Sequence, residues 1–530
     1  MNRFQTAIAN LFKIPLPVEK QGRSYGIRKY AGASTNTTGV LDWHVGQTSA
    51  DNEIWSSLRL LIARSRSLYQ DDSNVQTAID ELVSLVVDTG IHLQSQVKMK
   101  RGGGLNLRLN EEIERKFNRW ANNPSWCDAA GRQTFWEMQA TVLHSMLVDG
   151  GVLVRLVSKR FDDSPVPFAL ELIEVDQLDD RLNFARANNG NEIRMGVEVN
   201  EWKRPEYYWL LEDHPGDFYG ARTQGFQSKP VPAWQVLHLV NRQGWRPGQT
   251  RGVPAIHAGI LKARNLLGLE ESEIVKARVQ SAISVFIESE FPDIEPEFID
   301  ESGQWGKELY PGMIEYLQPG QKIAPFDASS PNDKLVDFAQ HFQRSIAGIL
   351  GLSAHQVHKD LSSANYSSLR EGKLNEWRRV KLLRDRLNTD LNSPVFRHWL
   401  DAAAMSGFVT MPRDYEFNKA DYVCDWWCGS SMPWVDPLKD LKSTELEISL
   451  GVNTRTRFLA EKGIDYEDIL REKAMEMELE KKYGVNFEPI EVDAEAILAD
   501  DAQQENQPKP VTPPREKRLP RKRKKQMQRL

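Results

Sequence analysis

The chain has 530 residues, with 68 lysines and arginines against 74 aspartates and glutamates, and only three cysteines. This length exceeds the roughly 250–300 residues at which a single hydrophobic core stops growing, so we expect several structural units. Apolar residues make up 40% of the chain, which excludes a wholly disordered protein, and three cysteines exclude a disulfide scaffold and indicate a reducing compartment. No apolar run approaches the ~20 residues of a membrane span, and the first residues lack a signal-peptide pattern. We therefore expect a soluble protein made in the cytoplasm, with no membrane partner.

Two patterns of apolar spacing follow one another in the first half of the chain. Residues 1–49 hold clusters of Gly, Ser, Thr and Asn and are predicted to form a flexible arm. Helical spacing of apolar residues then predicts helices near residues 54–62, 75–86, 109–121 and 135–146. Short apolar runs bounded by Gly, Pro and Asp predict strands at residues 152–157, 168–175, 207–211 and 236–240. Together these elements predict an α+β body.

The second half begins with two long predicted helices that flank an insert. Pro254 suits a first helical turn, and no breaker follows for about 28 residues, which predicts a helix roughly 42 Å long. The insert contains a strand-like run at residues 283–289 and several Pro and Gly residues. The second helix is predicted over residues 333–350, with Gly351 as its C-terminal stop.

A polar segment and a third long helix come next. Residues 352–368 lack periodicity and are rich in small polar residues, which predicts a mobile loop. Helical spacing then runs from near Ser368 to Leu391, and Pro394 is expected to limit the helix. One face of this helix carries the basic residues Arg370, Lys373, Arg378, Arg379, Lys381, Arg384 and Arg386. Such a face suits phosphate contacts, and its alternatives are a solvated helix side or salt bridges between subunits.

Charge is unevenly distributed at the C-terminal end. Residues 515–529 contain nine bases and one acid, a net charge of +8, so the rest of the chain carries −14. Residues from about 490 onward have a composition that cannot bury enough apolar surface, which predicts disorder. The basic tail is a candidate for binding phosphates, anionic lipid or an acidic partner, or it is only a solvated tail. Its candidate residues are Arg515, Arg518, Arg521, Lys522, Arg523, Lys524 and Lys525.

Catalytic signatures are missing from the sequence. There is no GxxxxGK[ST], GxSxG, HExxH or GxGxxG motif. Asp176, Asp179 and Asp180 lie close together, but acid–base catalysis needs carboxyl groups whose pKa values are pushed apart, and the sequence does not indicate that. We therefore predict no enzyme activity and no cofactor.

Two further groups resemble parts of metal sites. Cys424 and Cys428 have CxxxC spacing, but a zinc site needs two more ligands, so free thiols are the better interpretation. His355, His358 and Asp360 could contribute to a metal site, and a pair of loop histidines is the commoner arrangement. We predict that neither group holds a metal.

Nine short segments, in this order, resemble the lambda-like portal proteins of tailed bacteriophages. They are residues 61–68 (LIARSRSL), 85–91 (LVVDTGI), 147–154 (LVDGGVLV), 170–178 (LELIEVDQL), 236–256 (VLHLVNRQGWRPGQTRGVPAI), 314–320 (IEYLQPG), 346–352 (IAGILGL), 360–370 (DLSSANYSSLR) and 434–439 (WVDPLK). Each segment is weak alone, and the set in this order is specific.

The resemblance implies the portal fold, in which copies form a ring with a central channel. It divides the chain into a flexible arm (1–49), wing (50–252), stem helix (253–282), clip (283–332), second stem helix (333–350), tunnel loop (351–367), the rest of the wing with its long helix (368–440), crown (441–489) and a disordered acidic-then-basic tail (490–530). The helix–insert–helix–loop–helix order found from apolar spacing agrees with this division.

The same resemblance suggests which residues contact partners. The residues expected to face DNA in the tunnel are Lys359, Asn365, Tyr366, Arg370 and Lys373. The clip residues expected to contact terminase and connector are Glu297, Asp300, Glu301, Trp305 and Lys307. Four tryptophans, Trp399, Trp426, Trp427 and Trp434, are expected to pack in the core of the wing and crown.

The implied function is a ring of twelve subunits at one capsid vertex. It would nucleate head assembly with the major capsid and scaffold proteins, dock the terminase large subunit for packaging, and later hold the head–tail connector. It would contact double-stranded DNA without sequence specificity, in the virion and, during assembly, in the host cytoplasm. The alternatives are another minor capsid protein, a metal-dependent nuclease, and a monomeric DNA-binding protein that uses the basic tail.

Overall fold

The computed structural model describes residues 46–100, 104–217, 227–282, 286–289, 321–324, 335–359, 366–430, 437–460 and 466–484. Helices and strands are mixed along this part of the chain, as the sequence predicts. The helices are α1 (Ala50–Asp71), α2 (Ser73–Val87), α3 (Leu107–Ala121), α4 (Pro124–Cys127), α5 (Phe135–Val148), α6 (Ile260–Ala282), α7 (Leu335–Leu350), α8 (Ala354–His358), α9 (Tyr366–Leu387), α10 (Ser393–Met405), α11 (Lys419–Tyr422), α12 (Pro437–Ser449), α13 (Arg455–Ala460) and α14 (Tyr466–Tyr483).

The strands form small antiparallel sheets. They are β1 (His92–Ser95), β2 (Gly151–Val157), β3 (Ala169–Ile173), β4 (Ala185–Arg186), β5 (Glu192–Arg194), β6 (Val197–Val199), β7 (Pro205–Leu211), β8 (Ser228–Pro232), β9 (Val236–Val240), β10 (Phe286–Ser289), β11 (Gln321–Ala324) and β12 (Asp425–Cys428). Strand β2 lies between β3 and β9, and strands β4 to β8 form a five-stranded sheet in chain order. Two pairs, β1 with β12 and β10 with β11, complete the described sheets. All four predicted strands are present, whereas strands β4 to β6 and β8 had no clear signal.

Side-chain caps define where the first helices begin. Asp72 separates α1 from α2: its N–H donates to Leu68 O, and its carboxylate accepts from the Asn74 N–H at 2.9 Å. Thr134 and Glu137 form a capping box at the start of α5, in which each side chain accepts from the other residue's N–H. These caps satisfy amide groups that have no partner inside the helix.

An aromatic cluster lies at the centre of the largest core. The ring of Phe117 is 5.0 Å from that of Trp399 and 5.8 Å from those of Phe135 and Phe396, measured between centroids. All four side chains are fully buried. This core joins α3 and α5, early in the chain, to α10, some 250 residues later. Residues that precede α6 and residues that follow α7 therefore share one core.

The four tryptophans that were predicted to pack in the core are not all buried. Trp399 is fully buried, which confirms its prediction, and Trp427 packs half-buried against the same core. Trp426 is 48% exposed because alternate residues of β12 point to opposite faces, so its prediction is wrong. Trp434 lies outside the described residues.

The first long helix begins later than predicted. Residues 255–259 form turns and α6 starts at Ile260, so Pro254 is not in its first helical turn. The reason is a close contact between two backbones: a Cβ on Gly252 would overlap the carbonyl oxygen of Gly150. The adjacent Arg251 is buried and donates to the carbonyl of Val175 at 3.0 Å, which fixes this turn against the segment after β3.

The third long helix continues past the proline that was expected to limit it. Helix α9 runs into a wider π-helical turn, residues 388–392, and then directly into α10. Pro394 has no N–H to donate, and the Ser393 N–H bonds instead to Asn388 O, five residues back. In this turn the side-chain oxygen of the buried Asn392 accepts a hydrogen bond at 3.0 Å from the side-chain amide of Gln139 in α5.

The remaining predictions divide between described and undescribed residues. The predicted loop contains a short helix, α8, whose N-cap Ser353 accepts from the Gln356 N–H, so a loop throughout 352–368 is wrong. The predicted flexible arm up to residue 45, the disordered tail from 490, the five clip residues and Asn365 lie outside the described residues. Among the helices that are described, none combines the length and apolar character needed to cross a bilayer.

Candidate DNA-facing site

The candidate site begins where α7 ends. Gly351 adopts a left-handed conformation with φ of +79°, and its N–H bonds to Gly348 O. The Leu352 N–H reaches back to Ala347 O at 3.0 Å. This pair of bonds is a Schellman motif, which closes the helix and requires a residue such as glycine at this position. The prediction of Gly351 as a stop is confirmed, and the chain turns from α7 into α8.

The structure brings two of the predicted tunnel residues into one cleft. Lys359 and Lys373 both line a cleft of about 420 Å³ between α8, α9 and α2. Lys359 is exposed and caps α8 in a left-handed conformation, with φ of 54°. Arg370 is exposed one turn before Lys373 on α9, and residues three apart share a helix face. Tyr366 is the first residue of α9.

The two acids of this cleft are engaged with α8. Glu376 is buried and accepts from the Ser353 N–H at 2.7 Å. Glu81 of α2 accepts from the Gln356 side-chain amide at 2.5 Å. Two lysines thus stand beside two glutamates, and the cleft carries little net charge. Such a surface would contact phosphates only weakly.

The predicted basic face of α9 is divided by the fold. Arg378 and Lys381 are exposed, whereas Arg379 and Arg386 are half-buried and Arg384 is 9% exposed. Burial lowers the pKa of all three, that of Arg384 to about 10. The prediction of one solvent-facing basic surface is therefore wrong, because α9 packs against other elements along this side.

Arg384 joins α9 to the end of α2. Its guanidinium donates to the carbonyl oxygens of Val86 at 2.6 Å and Leu85 at 3.0 Å, and also to that of Ser430. The carbonyls of a last helical turn lack intrahelical partners and carry partial negative charge, so a cation is stabilised there. The ring of Trp377 lies 4.8 Å from the guanidinium carbon.

A second connection joins α9 to the end of α7. Arg379 donates to the side-chain oxygen of Gln243 at 3.3 Å, and the Gln243 amide donates to Ile349 O at 3.2 Å. The aliphatic part of Arg379 also packs beside Gly351. The segment that carries Lys359 and Arg370 is therefore bounded by elements that are fixed to distant parts of the chain. Nothing in the residue pattern indicated the two hydrogen bonds, since their partners are more than 100 residues apart in the chain.

The three clustered aspartates are held in ion pairs. Asp176 accepts from Arg66 at 2.6 Å, and Asp179 accepts from Arg181 at 2.7 Å. Asp180 accepts from the Arg59 Nε at 2.6 Å, which connects the segment between β3 and β4 to α1. Burial alone would raise the pKa of Asp179, but hydrogen bonds from Arg181 and Ser228 outweigh it and lower the pKa. These roles are structural.

One carboxylate–histidine group was missed by the sequence analysis. Glu174, Asp176 and His214 place possible ligand atoms within 4.8 Å of one another. Arg66 already contacts both acids, at 3.4 and 2.6 Å, and also Asp149 at 2.7 Å. A guanidinium already occupies oxygens of both acids, which argues against a metal site. Among the other candidates, Cys424 and Cys428 form no disulfide, and Asp360 lies outside the described residues.

A comparison with protein families decides the identity of the chain. Residues 38–384 match the model described as phage portal protein, lambda family. The chain belongs to the lambda family of phage portal proteins. This membership confirms the resemblance found in nine sequence segments and the predicted α+β portal fold. Portal proteins are a structural family.

Two curated phage proteins agree with this assignment. The probable portal protein of Halomonas phage phiHAP-1 is 28% identical over 405 residues, which cover 75% of each chain. The portal protein of Escherichia phage N15 is 22% identical over 515 residues, 89% of this portal protein and 95% of its relative. Among solved structures, a chain from the neck of an empty gene transfer agent particle is 14% identical with a TM-score of 0.45, covering 77% of this chain and 94% of that one.

Proposed function

We propose that twelve copies of this chain form a ring at one capsid vertex, through which double-stranded DNA enters and leaves. The match to the portal family over residues 38–384 is the observation that carries this proposal. The ring nucleates head assembly with the major capsid and scaffold proteins. It then docks the terminase large subunit for packaging and afterwards the head–tail connector. It is assembled in the host cytoplasm and becomes part of the virion.

In this proposal the described elements take the places that the sequence analysis gave them. Helices α6 and α7 are the stem helices, and the strand pair β10–β11 belongs to the clip between them. Helix α8 lies within the tunnel loop and α9 begins at its end, while most of α12 and all of α13 and α14 lie in the crown. The five clip residues from Glu297 to Lys307 remain candidates for terminase and connector contact.

Lys359 and Arg370 are proposed to face the DNA. Both are exposed: Lys359 lies within the predicted tunnel loop, and Arg370 follows the loop on α9. One cation per subunit contributes little affinity, but a ring repeats each contact in every copy. The weak net charge of the adjoining cleft keeps the sum small enough for DNA to slide.

The ring itself is tested by imaging and by mass. Purified full-length protein should give class-averaged top views with a central hole, and a particle mass that is a multiple of the 60.6 kDa chain. A discrete single-copy particle without a hole would contradict the proposal. Metal-dependent DNA cleavage by the pure protein would instead favour the nuclease alternative.

The DNA-facing assignment is tested by removing two cations together. We expect Lys359→Ala with Arg370→Ala to leave rings assembled but to reduce the yield of packaged genomes several-fold, because contacts are lost in every subunit. The matched control is Arg378→Ala with Lys381→Ala, which also removes two positive charges, both from exposed positions of α9. Equal packaging by the two double variants would remove Lys359 and Arg370 from the DNA path.

A further inference from the structure

A second cleft lies at the end of the five-stranded sheet, apart from the candidate DNA-facing site. Its volume is about 610 Å³, and it is formed by the start of β7, the end of β8 and the 3₁₀ turn Ala233–Gln235. We call it the aromatic groove, and its principal lining residues are Arg204, Pro205, Glu206, Tyr207, Pro232 and Trp234.

The groove exposes flat apolar surfaces that would be more stable when covered. Trp234 is 63% exposed and Tyr207 is 36% exposed. Tyr207 is directly opposite Pro232 in the register of β7 and β8, and Trp234 follows two residues later. Two aromatic rings and two prolines therefore adjoin one another, with Glu206 and Arg204 as polar neighbours. Aromatic rings beside a few polar groups are typical of sites that bind peptides.

The edge of this sheet is unsuited to recruiting another β-strand. Strand β8 is the edge strand, and two of its five residues, Pro230 and Pro232, have no N–H to donate. Proline and lysine at an edge strand prevent the addition of a further strand. A peptide in the groove must therefore bind through its side chains and carbonyls, which is the mode used for polyproline II helices.

The chain itself contains a peptide of this kind. Residues 508–514 read PKPVTPP, with four prolines in seven residues. A polyproline II helix has three residues per turn, so Pro510 and Pro513 would lie on the same edge of it. Prolines lose little conformational entropy when they bind, and their rings pack on aromatic faces. Lys509 within the segment and Arg515 directly after it can approach Glu206.

We propose that the aromatic groove binds the proline-rich segment 508–514 of this chain, from the same or another copy. In the bound state the prolines cover Tyr207 and Trp234, and the exposed indole N–H donates to a carbonyl of the segment. The described chain ends at Gly484, and 23 residues precede Pro508. A chain of 23 residues can extend over at most about 75 Å, so its length does not prevent the segment from reaching the groove.

Single-stranded nucleic acid is the main competitor for this groove, because bases also stack on aromatic rings. Nucleic-acid grooves combine such rings with a clear excess of positive charge. The lining here pairs one arginine with one glutamate and has no such excess. The charge therefore favours a peptide.

The test uses the full-length chain with its own segment disabled. Pro508, Pro510, Pro513 and Pro514 are changed to Ala, and a fluorescent peptide of residues 506–516 is added while its anisotropy is followed. We expect saturable binding that Trp234→Ala weakens about tenfold or more, since groove aromatics dominate such interfaces. Trp202→Ala is the matched control, because Trp202 is 82% exposed in the turn between β6 and β7 and lies outside the groove. It should leave binding unchanged.

Each other outcome overturns the proposal. Absence of peptide binding, or equal binding to the Trp234→Ala variant, excludes the groove as the site. Equal binding of a peptide whose four prolines are alanines reduces the interaction to charge. An oligothymidine that binds tightly and depends on Trp234, while the peptide does not, assigns the groove to nucleic acid. Equal thermal unfolding midpoints of the two tryptophan variants verify that folding is unaffected, which is expected because both side chains are exposed.

Discussion

Arg384 is a buried cation held chiefly by backbone carbonyl oxygens. Burial lowers its pKa to about 10, which leaves the side chain protonated at neutral pH. The last turn of α2 compensates for the lost hydration by offering the carbonyls of Leu85 and Val86. The geometry depends on a forked donor, because one guanidinium reaches two adjacent carbonyls and that of Ser430.

Replacing this residue should therefore be costly. We expect Arg384→Met to lower the free energy of unfolding by about 2–4 kcal/mol, because the methionine fills space but leaves buried carbonyls without donors. Arg378→Met on the same helix should change it by less than about 0.5 kcal/mol, because Arg378 is exposed. Thermal and urea unfolding of the two variants checks the difference. Equal midpoints would mean that the Arg384 contacts contribute no net stability.

At the scale of elements, the start of α6 depends on two glycines in contact. Gly252 and Gly150 leave no space for a side chain between β2 and the turn before α6. We expect Gly252→Ala to destabilise the protein by about 1–3 kcal/mol, because the backbones must separate. The control is the same substitution inside α6, where a Cβ on Gly268 meets nothing within 4 Å.

Gly268→Ala should have the opposite effect. An alanine in a helix interior is more favourable than a glycine by about 0.5–1 kcal/mol, so this variant should unfold at a higher temperature than the parent. The pair of unfolding midpoints separates a steric requirement for glycine from a general effect of alanine. If both variants shifted in the same direction, the contact between the two backbones would not be what requires Gly252.

Apolar spacing in the sequence predicted the main elements because burial of one face determines it. Strand β9 and the ends of α3 and α7 agree with prediction within two residues. The errors occur where distant residues decide the outcome. Pro394 is accommodated by a π-helical turn whose Asn392 contacts Gln139, and Pro254 precedes α6 because Gly252 meets Gly150. The spacing of a single helix carries no information about such contacts.

The candidate site was predicted only in part, because some of its contacts come from residues that are distant in the chain. Sequence order placed Lys359 and Lys373 beside one loop, and the structure brings both into one cleft. It gave no sign that Glu81 of α2 would join them, nor that Arg384 would turn away from solvent. Both depend on how α9 crosses α2, which is a matter of tertiary packing.

For the whole molecule, the distribution of charge limits how DNA can be held. Residues 515–529 carry +8, and the rest of the chain carries −14. An acidic body weakens the approach of a polyanion, while a basic terminal segment attracts it. In a ring of many copies the basic segments would supply the dominant electrostatic contact, and the channel residues only a weak one.

This division predicts how affinity for DNA should depend on salt. The logarithm of the binding constant falls with the logarithm of salt concentration by about 0.9 for each phosphate neutralised. A chain truncated after Pro514 loses the basic run but keeps the proline-rich segment, so we expect weaker binding to duplex DNA and a slope smaller by several units. A full-length variant with the nine bases of 515–529 changed to Gln keeps the length and should behave like the truncation. An unchanged slope in both variants would reduce the basic run to a solvated tail.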